Sequence, residues 1–506
     1  MHASRLPLLE PNDEHNRELV DRVRPQPWQN PTPAGRYNLV VIGAGTAGLV
    51  SAVGAAGLGA KVAIVERHAL GGDCLNYGCV PSKALIRAAR AVADARQGAA
   101  FGVDAGTVRA DFGAAMARLR RLRADIARND SVARLAGLGI EVFFGQGHFV
   151  APDAIEVEGT TLRFSRAIVA TGARAAVPPI PGLADAGYLT NESVFSLTEL
   201  PARLIVIGAG PIGCELAQAF RRFGADVTVI GDAPRLLPRE DADASRVITD
   251  AFGREGITTR LDARVVRVDR AADGVVRAVT LEQQGRQTTI HAEAILVATG
   301  RAPNVEGLDL ERAGITVSRS GVSVDDRLRT SNPRVFAVGD IASPYKFTHA
   351  ADALARVALQ NALFSGRKKA SALIIPWATY TDPEVAHVGM TAEEAEKRTD
   401  VRTLTVALAD NDRAILDGQS EGFARVHADS KGRILGATMV ASHAGEMSGE
   451  MSLAMTAGLS LSTLAQTIHP YPTQSEAWKK IGDAWNRGRL TPLVRRLFDT
   501  WLRWRR

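Results

Sequence analysis

YNLVVIGAGTAGLVSAVGAAGLGAKVAIVE, at residues 37–66, decides the fold of this chain. An apolar, β-branched run leads into Gly43, Gly45 and Gly48, and a stretch of small residues then leads to a second apolar run ending at Glu66. The pattern predicts strand, glycine-rich turn, helix and strand, the unit that binds a dinucleotide. The three glycines allow the tight turn, the approach of a pyrophosphate and the packing of the helix on the strand. Glu66 stands where a carboxylate can bind both ribose hydroxyls.

The same layout returns in RLIVIGAGPIGCELAQAFRRFGADVTVIGD at residues 203–232, with Gly208, Gly210 and Gly213 as its glycines. Two similar segments, IVATGA at 168–173 and LVATGR at 296–301, close the two copies. The chain is therefore predicted to contain two successive dinucleotide-binding units.

The ribose position differs in the second copy. Gly231 replaces the acid and Asp232 follows it. A missing carboxylate removes a partner for the 2′-hydroxyl and also removes repulsion of a 2′-phosphate. Asp232 can still bind a ribose, and Arg235 can meet a phosphate, so the pattern leaves NADH open and leans to NADPH.

Composition limits the class of protein. A length of 506 residues allows about three domains. No apolar run reaches about 18 residues, so no transmembrane helix is predicted. The N-terminal residues MHASRLPLLEPNDEHNRELVD are polar and acid-bearing, unlike a secretory signal or a transit peptide. Cytoplasmic localisation is the expectation.

The net charge of +6 is modest for this length. A small cluster, Arg118, Arg120, Arg121 and Arg123, has no interleaved aromatic residues, which favours a solvated helix face over a nucleic-acid site. LTPLVRRLFDTWLRWRR at 490–506 is basic, Trp-rich and roughly helical in period. It could touch a membrane surface, although packing on a partner subunit is the favoured role.

The predicted domain boundaries lie where the pattern of the sequence changes. Residues 1–36 hold six prolines and little apolar periodicity, which predicts an extension that lies over the surface or is partly disordered. From Trp377 onward, alternating runs such as EVAHVGM and RILGATMVAS predict an antiparallel sheet followed by helix. The fold class is thus α/β, with two Rossmann-like domains and a C-terminal α+β domain. The predicted bounds are 1–36 for the extension, 37–195 and 316–375 for the first nucleotide domain, 196–315 for the second, 376–490 for the α+β domain, and 491–506 for the tail.

Three cysteines are too few for a secreted disulfide scaffold. Cys74 and Cys79, in GGDCLNYGCVPSK, lie close together at a predicted helix start. Two thiolates make a poor zinc site, since structural zinc takes four ligands, and no metal site is predicted. The pair can form a disulfide, and the helix dipole favours the thiolate of the second sulfur.

Taken together, these segments resemble the class I pyridine nucleotide–disulfide oxidoreductases, which include dihydrolipoamide dehydrogenase, glutathione reductase and mercuric reductase. The resemblance runs from about Tyr37 to Trp485 and also includes TSNPRVFAVGD at 330–340 and HPYPTQSE at 469–476. It implies FAD in the first unit, NADPH or NADH in the second, and a homodimer.

The resemblance also implies individual roles. Cys79 would face the flavin as a charge-transfer thiolate, and Cys74 would meet substrate. Lys83 would lie by the flavin N5 and pair with Glu215, and Asp340 would bind the ribityl–phosphate region. Cys214, inside the second nucleotide helix, is expected only to pack. The remaining implied cofactor-binding residues are Gly72, Thr171, Gly172, Gly300 and Gly339.

One position departs from the thiol-reducing members, which read His-Pro-Thr-x-x-Glu where a His–Glu dyad from the other subunit moves the thiol proton. Here Tyr471 takes the histidine position and Glu476 is in register. Tyrosine, with a pKa near 10, is a poor base at neutral pH. His469, two positions earlier, is expected to be structural.

The departure resembles mercuric reductase, although the cysteine pair near the C-terminus of that enzyme has no counterpart in 490–506. The leading hypothesis is a mercuric-reductase-like enzyme that passes electrons from NAD(P)H through FAD and Cys74–Cys79 to a disulfide or metal-ion acceptor. The alternatives are a dihydrolipoamide dehydrogenase and a redox-responsive flavoprotein that binds a membrane or a partner.

Overall fold

The computed structural model describes residues 10–271 and 274–506. The chain forms two compact units. The first takes in the described residues of 1–208, 219–230 and 263–373, and the second takes in 209–218, 231–262 and 374–506.

The α-helices are α1 (Glu14–Val23), α2 (Thr46–Gly57), α3 (Gly72–Asn76), α4 (Cys79–Arg96), α5 (Phe112–Ala127), α6 (Val132–Gly137), α7 (Leu183–Ala186), α8 (Pro211–Phe223), α9 (Ala242–Glu255), α10 (Thr348–Phe364), α11 (Ala392–Glu396), α12 (Asp412–Leu416), α13 (Ala444–Thr456), α14 (Leu461–Gln466), α15 (Glu476–Gly488) and α16 (Pro492–Trp504).

The strands are β1 (Tyr37–Ile42), β2 (Val62–Glu66), β3 (Glu141–Phe144), β4 (His148–Ala151), β5 (Ala154–Val157), β6 (Thr160–Val169), β7 (Ala173–Ala175), β8 (Arg203–Ile207), β9 (Asp226–Ile230), β10 (Thr258–Arg260), β11 (Ala263–Arg270), β12 (Arg277–Gln283), β13 (Arg286–Ala292), β14 (Ala294–Val297), β15 (Arg301–Pro303), β16 (Val317–Ser318), β17 (Gly321–Val322), β18 (Val335–Ala337), β19 (Pro376–Thr379), β20 (Glu384–Gly389), β21 (Val401–Ala407), β22 (Phe423–Asp429) and β23 (Ile434–Ala441).

The first sheet has β1 at its centre. β1 pairs in parallel with β2 and β6, β2 pairs in parallel with β3, and β18 adds in parallel to β6. Leu39 and Val41 face a helical layer that includes α2 and α10, whereas Val40 and Ile42 face a second core that includes β4 and β5. A strand covered on both faces reads as a continuous apolar run, which is why YNLVVI looks as it does.

A second parallel arrangement, β9–β8–β14, is built around the second glycine fingerprint. The antiparallel strands β11, β12 and β13 lie in the same unit. In the second unit, β19–β20–β23–β22–β21 form an antiparallel sheet. Met439 of β23, Met451 of α13 and Trp478 of α15 are buried in one core with this sheet. The predicted fold class, two dinucleotide-binding domains and a C-terminal α+β domain, is confirmed; the domain bounds stay a prediction.

The extension differs from its prediction. Residues 1–9 lie outside the described part, but residues 14–23 form α1, with the Asp13 side chain accepting from the Asn16 backbone N–H at 2.8 Å. Leu19 and Val23 are fully buried in the core of the first sheet. The expectation of a surface or partly disordered segment is wrong for these residues, because the three apolar residues of this short, highly charged helix are too few to be recognised among the prolines and charges around them.

The arginine cluster on α5 is also only partly a solvated face. Arg118 and Arg121 are exposed, but Arg120 and Arg123 are buried. Arg120 forms an ion pair with Asp13. Arg123 donates to the Asn16 side-chain oxygen of α1 at 2.6 Å and to the Asn76 carbonyl of α3 at 2.8 Å. These two arginines therefore attach the N-terminal helix to the core.

Among the described residues, no helix is both long and apolar enough to cross a membrane. The predicted helical period of the tail is confirmed by α16, which begins after Thr491, whose side chain caps the backbone N–H of Val494, and has Pro492 in its first turn.

Packing of α1 can be tested with Leu19→Ala. Because Leu19 is fully buried, its truncation should lower the free energy of unfolding by about 2–5 kcal/mol. Urea denaturation measures the change. Leu58→Ala, at a 61% exposed leucine of the same unit, is the matched control and should change little. Equal effects of the two substitutions would show that α1 is not part of the core.

Candidate active site

The first glycine turn is fixed by packing. Gly43 has φ +96°, and a Cβ there would lie 2.5 Å from the carbonyl oxygen of Ala170. A Cβ on Gly48 would lie 1.8 Å from the carbonyl oxygen of Gly43. Neither position accepts a side chain without moving backbone, so α2 starts directly against the end of β1. Its free N–H groups then form an anion-binding helix terminus.

Gly45 and Gly72 bring a second segment against this turn. A Cβ on Gly72 would lie 2.5 Å from the Cα of Gly45, and the Gly71 backbone N–H donates to the Ala44 carbonyl at 2.8 Å. This close approach of two backbones leaves an open glycine-lined cradle of the kind a pyrophosphate requires. The residues present therefore fit FAD, and α3 begins at Gly72, within this cradle.

Glu66 lies at the end of β2 and is almost completely buried. One carboxylate oxygen accepts from the Ala44 backbone N–H at 2.8 Å, and the other accepts from the His68 backbone N–H at 2.7 Å. Burial raises the pKa of this carboxyl, and the two N–H bonds oppose the rise. Both oxygens keep further lone pairs, and the ribose contact stays a prediction.

Cys74 of α3 and Cys79, the first residue of α4, have their sulfur atoms in hydrogen-bond contact. Both are free thiols. Cys79 Sγ also lies 3.2 Å from the hydroxyl oxygen of Thr348, at the start of α10. The redox pair predicted from the sequence is thus assembled, with a hydroxyl beside it that sequence reasoning missed. Within residues 10–271 and 274–506, no three His, Cys, Asp or Glu side chains are grouped to hold a metal ion.

The two thiols differ in acidity. The hydrogen bond from Cys74 lowers the pKa of Cys79 to about 6; Thr348 and the Lys83 ammonium contribute, while desolvation and Asp73 oppose. The pKa of Cys74 is raised, first by its bond to Cys79 and then by burial. The position of Cys79 at a helix N-terminus favours its thiolate as well. At neutral pH the pair therefore holds its negative charge on Cys79.

A partly buried cation links the cysteine segment to the predicted FAD-binding aspartate. The Arg301 guanidinium lies 3.2 Å from the Asp73 carboxylate and 3.4 Å from the Asp340 carboxylate. Burial raises the pKa of Asp340, and Arg301 is the largest opposing cause. Lys346 donates to the Asp340 carbonyl. Arg301 and Asp73 were not predicted as site residues, because an arginine whose acidic partners lie in distant parts of the sequence leaves no local pattern.

The predicted cofactor residues Thr171 and Gly172 lie in the turn after β6. The Thr171 hydroxyl donates to the Asn304 carbonyl at 2.8 Å, and the Asn304 amide donates back to the Thr171 carbonyl at 2.9 Å. Gly300 has φ +139° and Gly339 has φ +75°. A Cβ on Gly339 would lie 3.3 Å from the Cβ of Ala47 in α2, so its backbone lies against the first nucleotide helix.

The second fingerprint is held by the same kind of constraint. A Cβ on Gly208 would lie 2.3 Å from the Ala298 carbonyl oxygen. A Cβ on Gly210 would meet no protein atom within 4 Å, so packing does not require glycine there, and a pyrophosphate bound as the fingerprint predicts would be the reason for it. Gly213 is in the first turn of α8. A Cβ on Gly231 would lie 2.7 Å from the Ala209 Cβ, which leaves no room for an acidic side chain at that position.

Glu215 and Cys214 follow on α8. Glu215 is buried and accepts from the Tyr380 backbone N–H at 2.9 Å. Cys214 is fully buried, its thiol bonds the Ala209 carbonyl at 3.4 Å, and burial raises its pKa to about 12, as expected of a packing residue. The pairing of Lys83 with Glu215 stays a prediction.

Tyr471 and Glu476 belong to the second unit. Tyr471 is 70% exposed and donates its hydroxyl to the Asp412 carboxylate at 2.9 Å, which raises the pKa of the phenol. Glu476 is the first residue of α15, and one of its carboxylate oxygens is buried without a hydrogen-bond partner. His469 bonds the Glu450 carboxylate at 2.9 Å and the Thr467 carbonyl at 3.2 Å, so its ring is already engaged.

The glycine turns, the thiol pair and the C-terminal sheet define a flavin-dependent disulfide oxidoreductase. The chain belongs to the pyridine nucleotide-disulphide oxidoreductase family: the family's sequence model matches residues 37–358, and the model of its dimerisation domain matches residues 375–481. The resemblance and the cofactors predicted from the sequence, FAD and NAD(P)H, are confirmed at family level.

Among similar proteins, a mercuric reductase of Bacillus cereus is 36% identical over 446 residues, 88% of this chain and 70% of that protein. A dihydrolipoyl dehydrogenase of Thermus scotoductus is 35% identical over 461 residues, 88% of this chain and 97% of that protein. The Cu(II) complex of the HOCl-induced flavoprotein disulfide reductase RclA from Escherichia coli has a TM-score of 0.78 at 31% identity, over 89% of this chain and 100% of that chain.

Thr348→Val tests the electrostatics of the thiol pair. The Thr348 hydroxyl stabilises the Cys79 thiolate, so removing it should raise the pKa of Cys79. The thiolate–flavin charge-transfer absorbance of the two-electron-reduced holoenzyme should persist above about pH 6 in the unmodified protein and require higher pH in the variant.

Ser82→Ala is the matched control, since the Ser82 hydroxyl bonds the backbone carbonyl of Cys79 at 3.3 Å and not its sulfur. If the pH midpoint of the charge-transfer absorbance is the same in Thr348→Val as in the control, Thr348 does not lower the pKa of Cys79.

Proposed function

We propose that this chain is an FAD-dependent NADPH oxidoreductase that passes electrons through Cys74 and Cys79 to a thiol-binding metal ion, Hg(II) or Cu(II). The observation that carries the proposal is the Tyr471 hydroxyl, which donates to Asp412 at 2.9 Å in the position where thiol reductases hold a histidine. The family membership supports the oxidoreductase class, and the residue at position 471 is the argument for a metal ion as the electron acceptor.

A thiol substrate needs a base to take or return its proton. Tyr471 is protonated at neutral pH, and Asp412 raises its pKa further. Its one hydroxyl proton is directed at Asp412. His469 cannot take its place without losing its bonds to Glu450 and Thr467. The site as built therefore lacks the proton carrier that dithiol turnover requires.

A metal ion needs no such carrier. Two adjacent sulfurs, one of them a thiolate at neutral pH, are suitable ligands for Hg(II) and for copper. When bound, FAD would relay the two electrons of the NADPH hydride to this centre. The reaction balances as NADPH with Hg(II) giving NADP⁺, a proton and Hg(0), or with two Cu(II) giving two Cu(I). The mercuric reductase relatives and the Cu(II) complex of RclA support this class of acceptor.

The proposal assigns the cofactor contacts as the sequence predicts them. Glu66 would bind the FAD ribose, Asp340 would bind the ribityl–phosphate region, and Lys83 would pair with Glu215. In a homodimer, which the family's dimerisation domain supports, Tyr471 of the partner subunit and Glu476 of the partner subunit would line the acceptor pocket.

The choice of NADPH is supported by Gly231. The close approach to Ala209 excludes a carboxylate at that position, so no acid there would repel a 2′-phosphate. The exposed Asp232 follows, and Arg235, half-buried, can offer its guanidinium to the phosphate.

The second candidate function is dihydrolipoyl dehydrogenase. It is favoured by the 35% identical relative of that name and by Glu476, which is in register with the family's dyad. Wild-type lipoamide turnover comparable with metal-ion reduction would establish it and overturn the metal-ion proposal.

Tyr471→His separates the two candidates. If the missing base limits thiol chemistry, the imidazole should raise lipoamide or glutathione disulfide turnover on the order of 100-fold, with little change in Hg(II) reduction. Steady-state NADPH oxidation with each acceptor measures both. Tyr471→Phe is the control, because it removes the bond to Asp412 without adding a base, and it should leave thiol turnover low. No gain in the histidine variant would contradict the role given to this position.

Arg235→Gln tests the nucleotide choice. Loss of a charge-assisted contact to the 2′-phosphate should raise the KM for NADPH roughly tenfold and leave the KM for NADH unchanged. Arg239→Gln, at a nearby exposed arginine, controls for the general loss of positive charge. A parallel rise for both nucleotides would indicate that Arg235 does not recognise the phosphate.

A further inference from the structure

Helix α16 of the second unit takes no part in the proposed chemistry. It lies beyond residue 481, where the match to the family's dimerisation domain ends. None of its residues is buried, although more than half of them are apolar. Its six largest apolar side chains are between 52% and 76% exposed: Leu493, Leu497, Phe498, Trp501, Leu502 and Trp504.

The two kinds of residue are separated around the helix. At 3.6 residues per turn, the apolar side chains occupy one half of the circumference, and Arg495, Arg496 and Arg503 occupy the other half with Asp499. Arg505 extends from the apolar half, with its guanidinium 5.5 Å from the Trp501 ring centroid. A long side chain in that position can reach back towards water while its stem lies on apolar surface.

We infer that α16 docks flat on an anionic lipid bilayer. Tryptophan, phenylalanine and leucine on one face, with arginine on the other, are the composition of helices that lie in the membrane interface. Five arginines against one aspartate between residues 490 and 506 give the positive charge that anionic headgroups attract. A helix of this length extends about 20 Å, too short to span a bilayer but long enough to lie along its surface.

The charge decides between lipid and a second protein copy. A second α16 carries the same excess of arginine, so it offers these side chains no anionic partner. An anionic surface instead lowers the energy of every arginine on the helix. The inference is independent of the proposed acceptor, since it concerns where the enzyme is held and not what it reduces.

Vesicle co-sedimentation of the full-length holoenzyme tests the inference, with phosphatidylcholine vesicles against vesicles of phosphatidylcholine and phosphatidylglycerol. The holoenzyme should sediment with the anionic vesicles and be released by high salt. Leu497→Glu with Trp501→Glu should weaken binding roughly tenfold or more, because two apolar anchors become charged. Arg495→Gln with Arg496→Gln should weaken it roughly fivefold for each arginine.

Asp499→Asn is the matched control on the polar face and should bind at least as well as the unmodified protein. NADPH oxidation by every variant checks that the fold is intact, since no residue of α16 belongs to the redox site. Equal partitioning of the holoenzyme onto neutral and anionic vesicles overturns the inference. An absence of binding to either kind of vesicle also overturns it. In that case light scattering of the protein with and without residues 491–506 shows whether the apolar face binds a second copy, since removal of the helix would then lower the molecular mass of the assembly.

Discussion

The redox centre depends on a contact between two backbones, not between side chains: a Cβ on Gly72 would lie 2.5 Å from the Cα of Gly45. This contact sets the distance between the nucleotide-binding turn and the segment that carries Cys74. The turn is itself fixed, because Gly48 lies against the Gly43 carbonyl and Gly43 against Ala170. A redox pair that exchanges electrons with a flavin must be held at a defined distance from it. In this protein a side chain at any of these glycines would push the two segments apart.

Two arginines with little exposed surface also hold the cysteine-bearing segment in place. Arg123 bonds Asn76, at the end of the cysteine-bearing α3, and Asn16 in the N-terminal helix. Burial lowers the pKa of Arg123 to about 10, still far above neutral, so it keeps its charge. Arg301 joins Asp73 and Asp340 on the other side. An arginine can do this because its planar group offers five donors in fixed directions.

The fold was predictable because its signals are local. Glycine spacing, apolar runs and the cysteine pair each lie within one short, continuous stretch of sequence, so the nucleotide units and the redox centre could be read directly. The long-range partners could not, because Thr348 is far along the chain from Cys79, as Arg301 is from Asp73. The N-terminal helix was missed for a different reason, since its buried apolar residues are a narrow stripe among charged neighbours. Tyr471 could be recognised as a departure, but its bond to Asp412 required the structure.

The unequal acidity of the two thiols has a consequence for the thermodynamics of the centre. Between about pH 6 and the much higher pKa of Cys74, reduction of the disulfide takes up two electrons but only one proton, because Cys79 remains a thiolate. Its midpoint potential should then fall by about 30 mV per pH unit, half the slope of an ordinary dithiol. The driving force delivered to an acceptor whose own potential does not depend on pH would therefore change by about 1.4 kcal/mol per pH unit, half the change that an ordinary dithiol would give.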